Sequence, residues 1–284
     1  MGQPRILMCP ADYYGIEYEI NPWMNRQVAS DPTTSLRQWW ALRDVLCDLG
    51  VRIETLPAVQ GLPDLVFTAN AGLIYRNLFI SSRFRFGVRQ GETPHFERWA
   101  AANGYEVVTL PAANAFFEGA GDALFCGDTL FAGYRFRSDV RSHHWAADRV
   151  GVEVLPMELV DPRFYHLDTC FCPLSEGEAM YYPGAFDDYG RSVLRDRIPG
   201  LIEVSADEAV SFSCNAVVVG RHVVLNAGAP KLAGALESAG YTVHPVTLTE
   251  FIKSGGSAKC LTLRLDGEEA AAWKHEDSAV GASS

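Results

Sequence analysis

The chain has 284 residues, 48% of them hydrophobic, which is enough to bury a large core in one unit or two. A formal charge of −11 argues against general nucleic-acid binding and suits a small cationic ligand. No stretch approaches the ~20 apolar residues of a membrane helix, the N-terminus "MGQPRILMCP" lacks the features of a cleaved leader, and seven cysteines, an odd number, fit a reducing cytoplasm better than a disulfide framework.

In chain order, the strand-like "RILMCP" is followed by a helical stretch, "SLRQWWALRDVLCDL", that ends at the glycine of "LGVRIETLP". Next come the paired strand segments "DLVFTANAGLIY" and "NLFISS", the helix "HFERWAAAN", and the strand "NGYEVVTLP". The same order returns in "GDALFCG" and "TLFAGY" before "VGVEVLPM", in "HLDTCFCPL" and "AMYYP" before the degenerate "IPGLIEVS", and in "CNAVVVG" and "HVVLNAG" before "KLAGALESA" and "AGYTVHPV". Each closing strand opens on a glycine suited to a helix C-cap. The last segment, "SGGSAKCLTLRL", sets two glycines and Lys259 before Cys260 and an alternating run over Leu261 to Leu265 that reads as a strand.

The unit is strand, strand, helix, strand, repeated at roughly 50 residues, a period of closed arrays. It predicts an α/β fold, a five-bladed pseudo-symmetric α/β propeller. No linker interrupts it, so residues 1–275 are expected to form a single domain and 276–284 a flexible tail.

In such a ring the starts of the first strands converge on the axis. Asn70, the stretch from Glu118 to Asp122, the stretch from His166 to Asp168, and Cys260 would then share one pocket. Taken singly, each has a structural alternative: Cys260 as a buried thiol, His166 as a hydrogen-bonded core histidine, Glu118 as a surface turn residue. Cys170 and Cys172 read as core residues, and Trp39, Trp40 and Trp99 as packing between blades. The pair His143 and His144 lacks further ligands and reads as a solvated helix face, so no metal site is expected.

These stretches resemble the guanidino-group-modifying superfamily, which includes arginine deiminases, dimethylarginine dimethylaminohydrolases and arginine:glycine amidinotransferases and has a five-bladed propeller (pentein) fold. The likeness runs from "MCPADYYGIEYEINPWM" to "GGSAKCLTLRL". It implies Cys260 as nucleophile and, in "YHLDT", His166 as general acid and base, with Asp168 clamping the guanidinium. "FFEGAGD" implies that Glu118 binds the guanidinium or its leaving side. "FRFGVRQGE" and "GYRFRSD" imply that Arg89 and Arg137 hold the substrate carboxylate, and "INPWM" adds Asn21. Two departures stand out. "FTAN" puts Asn70 where deiminases carry aspartate, and "EGAGD" has one residue more than "EGGD", which bears on Asp122.

Together these motifs look most like the arginine dihydrolase branch, which makes ornithine, ammonia and carbon dioxide. Dimethylarginine hydrolysis, deimination to citrulline, amidino transfer and mere binding are the alternatives. The implied chemistry is covalent: a thiolate attacks the guanidino carbon, and a thiouronium is then hydrolysed. Lys259 and the bound cation would both favour the thiolate. An amide at position 70 would tolerate a neutral ureido carbonyl that a carboxylate would oppose. No cofactor is implied, the partner is a small molecule, and homo-oligomerisation is left open.

Overall fold

The computed structural model describes residues 2–111 and 115–275. β1 (Arg5–Met8) leads through α1 (Pro32–Asp48) to β2 (Arg52–Thr55), which lies parallel to β1. β3 (Gly72–Tyr75) and β4 (Leu78–Ser81) form an antiparallel hairpin, and α2 (Thr93–Ala102) carries the chain to β5 (Glu106–Val108), parallel to β4. β6 (Ala123–Cys126), β7 (Thr129–Tyr134), α3 (Val140–Val150) and β8 (Glu153–Glu158) repeat that plan, as do β9 (Phe171–Ser175), β10 (Glu178–Tyr181), α4 (Asp188–Arg197) and β11 (Gly200–Glu203). After the short α5 (Ala206–Ala209) come β12 (Val217–Val219), β13 (His222–Asn226), α6 (Pro230–Ser238) and β14 (Thr242–Val246). The turn α7 (Thr249–Ile252) precedes β15 (Leu263–Arg264), which returns to pair antiparallel with β1.

Among the described residues the strands therefore make five three-stranded sheets, four of them a hairpin and one the antiparallel pair of β15 and β1, each with a parallel strand delivered by a helix. This is the five-fold pseudo-symmetric α/β propeller expected from the repeat. The blade built from both chain ends is a finding the repeat did not announce: β15 supplies the hairpin partner that β1 lacks locally. The strand expected over Leu261 to Leu265 shortens to that pair because Leu261 and Thr262 still belong to the turn that presents Cys260. Residues 276–284, expected as a tail, lie outside the described residues.

Burial follows position in the blade. β6, β9 and β12 are buried on both faces, while β2, β5 and β11 carry exposed or half-buried residues. Apolar runs such as "ALFC" and "VVV" therefore form inner strands, and alternating runs such as "RIET" form outer ones. The glycines that end helical stretches, Gly50, Gly104, Gly151 and Gly240, all take positive φ as expected of C-caps; Gly200, in the degenerate copy, does not.

Helical periodicity corrects two of the sequence expectations. α1 buries Ser35, Gln38, Trp39, Leu42 and Leu46, a single stripe, and burying each large apolar side chain there stabilises the fold by roughly 1.5–3 kcal/mol. Trp40 falls off that stripe; it is half exposed, with the Arg43 guanidinium 5.0 Å from its ring centre. On α3 the buried stripe is Ser142, His143, Ala146 and Ala147, so only His144 faces solvent. His143 is buried, its Nε2 lies 2.6 Å from the Gly133 carbonyl, and burial pushes its pKa down to about 4. Trp99 packs beside Tyr105 as expected. Among the described residues no helix is long and apolar enough to cross a membrane.

Candidate active site

Short 3₁₀ turns precede the inner strands: Thr68–Ala71 before β3, Gly119–Gly121 before β6 and Leu167–Thr169 before β9. They carry or flank Asn70, Glu118, His166 and Asp168. The first turn is tied to the nucleophile loop, since the Ala69 N–H donates to the Cys260 carbonyl at 3.2 Å. The repeat thus brings together residues far apart in sequence, and Cys260, His166, Asn70, Arg89, Arg137 and Asn21 all line one cavity.

Glu118 and Asp168 stand behind the two reacting groups, outside the cavity lining. Glu118 is fully buried and accepts from the Arg85 N–H at 3.1 Å and from Arg137 at 3.1 Å, while His166 Nε2 lies 2.7 Å away. Burial opposes its ionisation, but Arg137, the His166 contact and Arg89 outweigh it and hold the carboxyl well below its usual range. An ionised Glu118 fixes the proton of His166 on Nε2 and leaves Nδ1 as the basic nitrogen. Burial pushes His166 down to about 4 despite Glu118, so the resting imidazole is neutral.

Asp168 lies 3.4 Å from Cys260 Sγ, and burial raises its pKa to about 7 against the pull of Lys259. Burial, followed by Asp168, pushes the Cys260 thiol well up, so the resting nucleophile is also protonated. The Lys259 charge acts on Asp168, the carboxylate beside the thiol. Lys259 Nζ is paired with Glu268 at 2.6 Å. Asp122 is internal scaffold, accepting from Ser138 Oγ at 2.6 Å and from the Leu167 N–H at 3.1 Å.

Arg89 forms a fork on Glu92 at 2.8 and 2.9 Å and donates to Asn70 Oδ1 at 3.0 Å. Asn70 Nδ2 in turn donates to the Glu118 carbonyl at 3.3 Å, so both ends of its amide are oriented. Gly121 makes room for that amide, for a Cβ there would collide with Asn70 Nδ2. Arg137 donates to the Ile20 carbonyl and stacks against Tyr165 at 4.4 Å. Asn21 spends its amide on the protein, accepting from Trp23 and Met24 N–H and donating to the Ser254 carbonyl at 2.9 Å. It braces the glycine loop that leads to Cys260.

Two residues were missed by the sequence reading. Asp64 lines the cavity with one carboxylate oxygen lacking any hydrogen-bond partner, and burial raises its pKa. It opens the segment "DLVFTANAGLIY", six residues before Asn70, but is not part of the "FTAN" motif. Asn215 contacts Cys260 directly: its Nδ2 lies 3.1 Å from Sγ. It opens the fourth hairpin, "CNAVVVG", so extending the convergence argument to that copy would have found it. Among the described residues no group of three or more His, Cys, Asp or Glu is arranged to hold a metal ion.

A ring of five such blades with cysteine, histidine and carboxylates at its axis defines the guanidino-group-modifying class. Within it, the family described as N,N dimethylarginine dimethylhydrolase, eukaryotic, matches residues 20–266, and the chain belongs to this family. It is 46% identical over 266 residues to the bifunctional arginine dihydrolase/ornithine cyclodeaminase ArgZ of Synechocystis sp., covering 92% of this chain but 37% of that protein. It is 39% identical to the N(G),N(G)-dimethylarginine dimethylaminohydrolase of Mycobacterium tuberculosis, covering 92% of this chain and 85% of that one. The crystal structure of the N-terminal domain of ArgZ, in an asparagine-to-serine variant covalently bound to a reaction intermediate, superposes with a TM-score of 0.90 at 45% identity, covering 94% of this chain and 99% of that domain. The chain thus spans well under half the length of the full bifunctional relative.

Proposed function

We propose that this chain is a cysteine-dependent hydrolase of the guanidino group, and specifically an arginine dihydrolase that converts arginine to ornithine, two ammonia molecules and carbon dioxide. The observation that carries the reading is Asn70, an amide held between Arg89 and the Glu118 carbonyl on the wall of the pocket that Cys260, His166 and Asp64 also line. The likeness to ArgZ supports it. Its seven unpaired cysteines support a reducing, cytoplasmic setting, and residues 1–275 are read as one hydrolase domain.

The guanidinium lies against Cys260 and His166 with Asp168 at the sulfur edge, and Arg89 and Arg137 receive the carboxylate at the other end, where Asp64, 3.7 Å from Arg89, faces the α-ammonium. The bound cation makes the thiolate affordable in a site where thiol and imidazole are both neutral at rest. Sγ bonds to the guanidino carbon, and the thiol proton passes by way of His166 Nδ1 to the departing nitrogen. Ammonia leaves and the thiouronium remains. Glu118, 2.7 Å from Nε2, stabilises the transient imidazolium. Water deprotonated by His166 then displaces sulfur and yields the ureido compound. Asn70 presents an N–H donor to that new carbonyl and retains it while Sγ bonds to the ureido carbon and the second ammonia leaves; a second water then displaces sulfur, and the carbamate released breaks down to carbon dioxide and ornithine.

The M. tuberculosis relative, matched over most of its length, favours dimethylarginine as the second reading. Incubation with arginine and with dimethylarginine, followed by quantitation of ornithine, citrulline, urea and amines, separates the two. Ornithine with two equivalents of ammonia is expected; citrulline alone, or turnover of dimethylarginine only, would overturn the dihydrolase reading.

A further inference from the structure

Asn215 is fully buried, and every polar atom of its side chain is engaged around the nucleophile. Its Oδ1 accepts from the Cys260 N–H at 3.1 Å, while Nδ2 donates to the Asp168 carbonyl at 2.9 Å and to Cys260 Sγ at 3.1 Å. A flipped amide would set N–H against N–H and oxygen against oxygen, so this orientation is the one the network permits. Its own carbonyl accepts from the Lys259 N–H, and its N–H donates to the Phe212 carbonyl. Phe212 has φ of +55°, a conformation uncommon for a bulky residue, and its ring packs against Trp23. A strained turn therefore presents Asn215 to the thiol. The sulfur also touches both an acceptor, the Asp168 carboxylate at 3.4 Å, and a donor, Asn215.

We propose that Asn215 is the positioning residue of the nucleophile, aiming Cys260 Sγ through the backbone bond and stabilising the thiolate through the N–H directed at sulfur. A donor that bonds better to the charged form lowers the pKa of the group that it touches. The Asp168 carboxylate accepts the S–H while the thiol is neutral, and the amide holds the sulfur once the proton has gone. The inference rests on Cys260 being the nucleophile but not on which guanidino compound is the substrate.

The test uses no substrate, so its failure is distinguishable from failure of the dihydrolase reading. Alkylation of Cys260 by iodoacetamide, mapped by mass spectrometry to that cysteine, is followed against pH in the parent, Asn215→Ala and Asn215→Asp. The profile of Asn215→Ala is expected to move to higher pH by about one unit, or about tenfold slower reaction below the titration, and that of Asn215→Asp further, since it sets a carboxylate against sulfur. Folded variants with the parent's profile would overturn the proposal. If the variants do not fold, NMR of the parent decides: the Asn215 side-chain amide protons must shift as Cys260 titrates, and their standing still would overturn it equally.

Discussion

Replacing Asn70 with aspartate changes one atom in a residue that is 2% exposed, and its consequences can be followed through its two hydrogen bonds. The bond from Arg89 at 3.0 Å becomes charge-assisted and gains about 1 kcal/mol. The contact to the Glu118 carbonyl at 3.3 Å turns from donor–acceptor into acceptor–acceptor, costing ~1–3 kcal/mol. The fold is thus nearly unaffected. In the first half-reaction the added charge favours the guanidinium. After it, the neutral ureido carbonyl meets a carboxylate where it had met an N–H, again ~1–3 kcal/mol, which lowers retention roughly tenfold to a hundredfold. Single-turnover mixing with labelled arginine should show the parent making mainly ornithine and Asn70→Asp releasing mainly citrulline. Gly121→Ala, which pushes a Cβ onto the Asn70 amide without changing charge, should shift products the same way. An unchanged ornithine-to-citrulline ratio in a folded, active Asn70→Asp enzyme would refute this account.

Cys260→Ser should abolish turnover while keeping the fold, and acid quenching of the parent should trap a thiouronium on Cys260; near-normal turnover by the serine variant would remove the covalent mechanism. His166→Ala should slow both formation and hydrolysis of the adduct, whereas a change in affinity alone would reduce His166 to positioning. Activity should survive exhaustive chelation, and a loss that added metal restores would contradict the metal-free chemistry. His143, lowered to about 4 in the fold from an ordinary ~6.5, stabilises the protein above the unfolded value by about 3 kcal/mol, lost as pH falls from 6.5 toward 4. His143→Gln should flatten that part of the urea-stability profile, and an identical slope in both proteins would show that His143 does not titrate there.

Much of the architecture was legible because the repeat is written in local signals. Helical stretches ending in glycine, hairpin pairs and alternating outer strands each recur, and local propensity and global fold agree. What escaped was long-range or fine-grained. The pairing of β15 with β1 joins residues some 260 positions apart, and no local pattern encodes a partner at that distance. The one-residue step around the helix that buries His143 and exposes His144 is a matter of register, and a His-His pair read as a unit hides it.

At the site, residue types were legible and contacts were not. Cys260 and His166 stood out by their repeat positions and the family resemblance, and Arg89 and Arg137 by the resemblance alone. The carboxylates are different, since any of Asp64, Glu118, Asp122 and Asp168 can serve a cation, an imidazole, a thiol or the scaffold equally well. The structure separates them by what each already holds. Glu118 holds Arg137 and faces His166, Asp122 holds Ser138 and Leu167, and Asp168 faces the thiol. Asp64 alone among these four keeps an unpartnered oxygen on the cavity wall. Arg89 Nε lies 3.7 Å from its other oxygen and balances part of its charge, and a substrate cation that completes the balance brings in the charge that the thiol needs in order to ionise. Asp64→Asn should therefore weaken substrate binding and also slow thiolate capture of the bound substrate. A variant with raised KM and an intact rate of adduct formation would separate the two effects and confine Asp64 to binding.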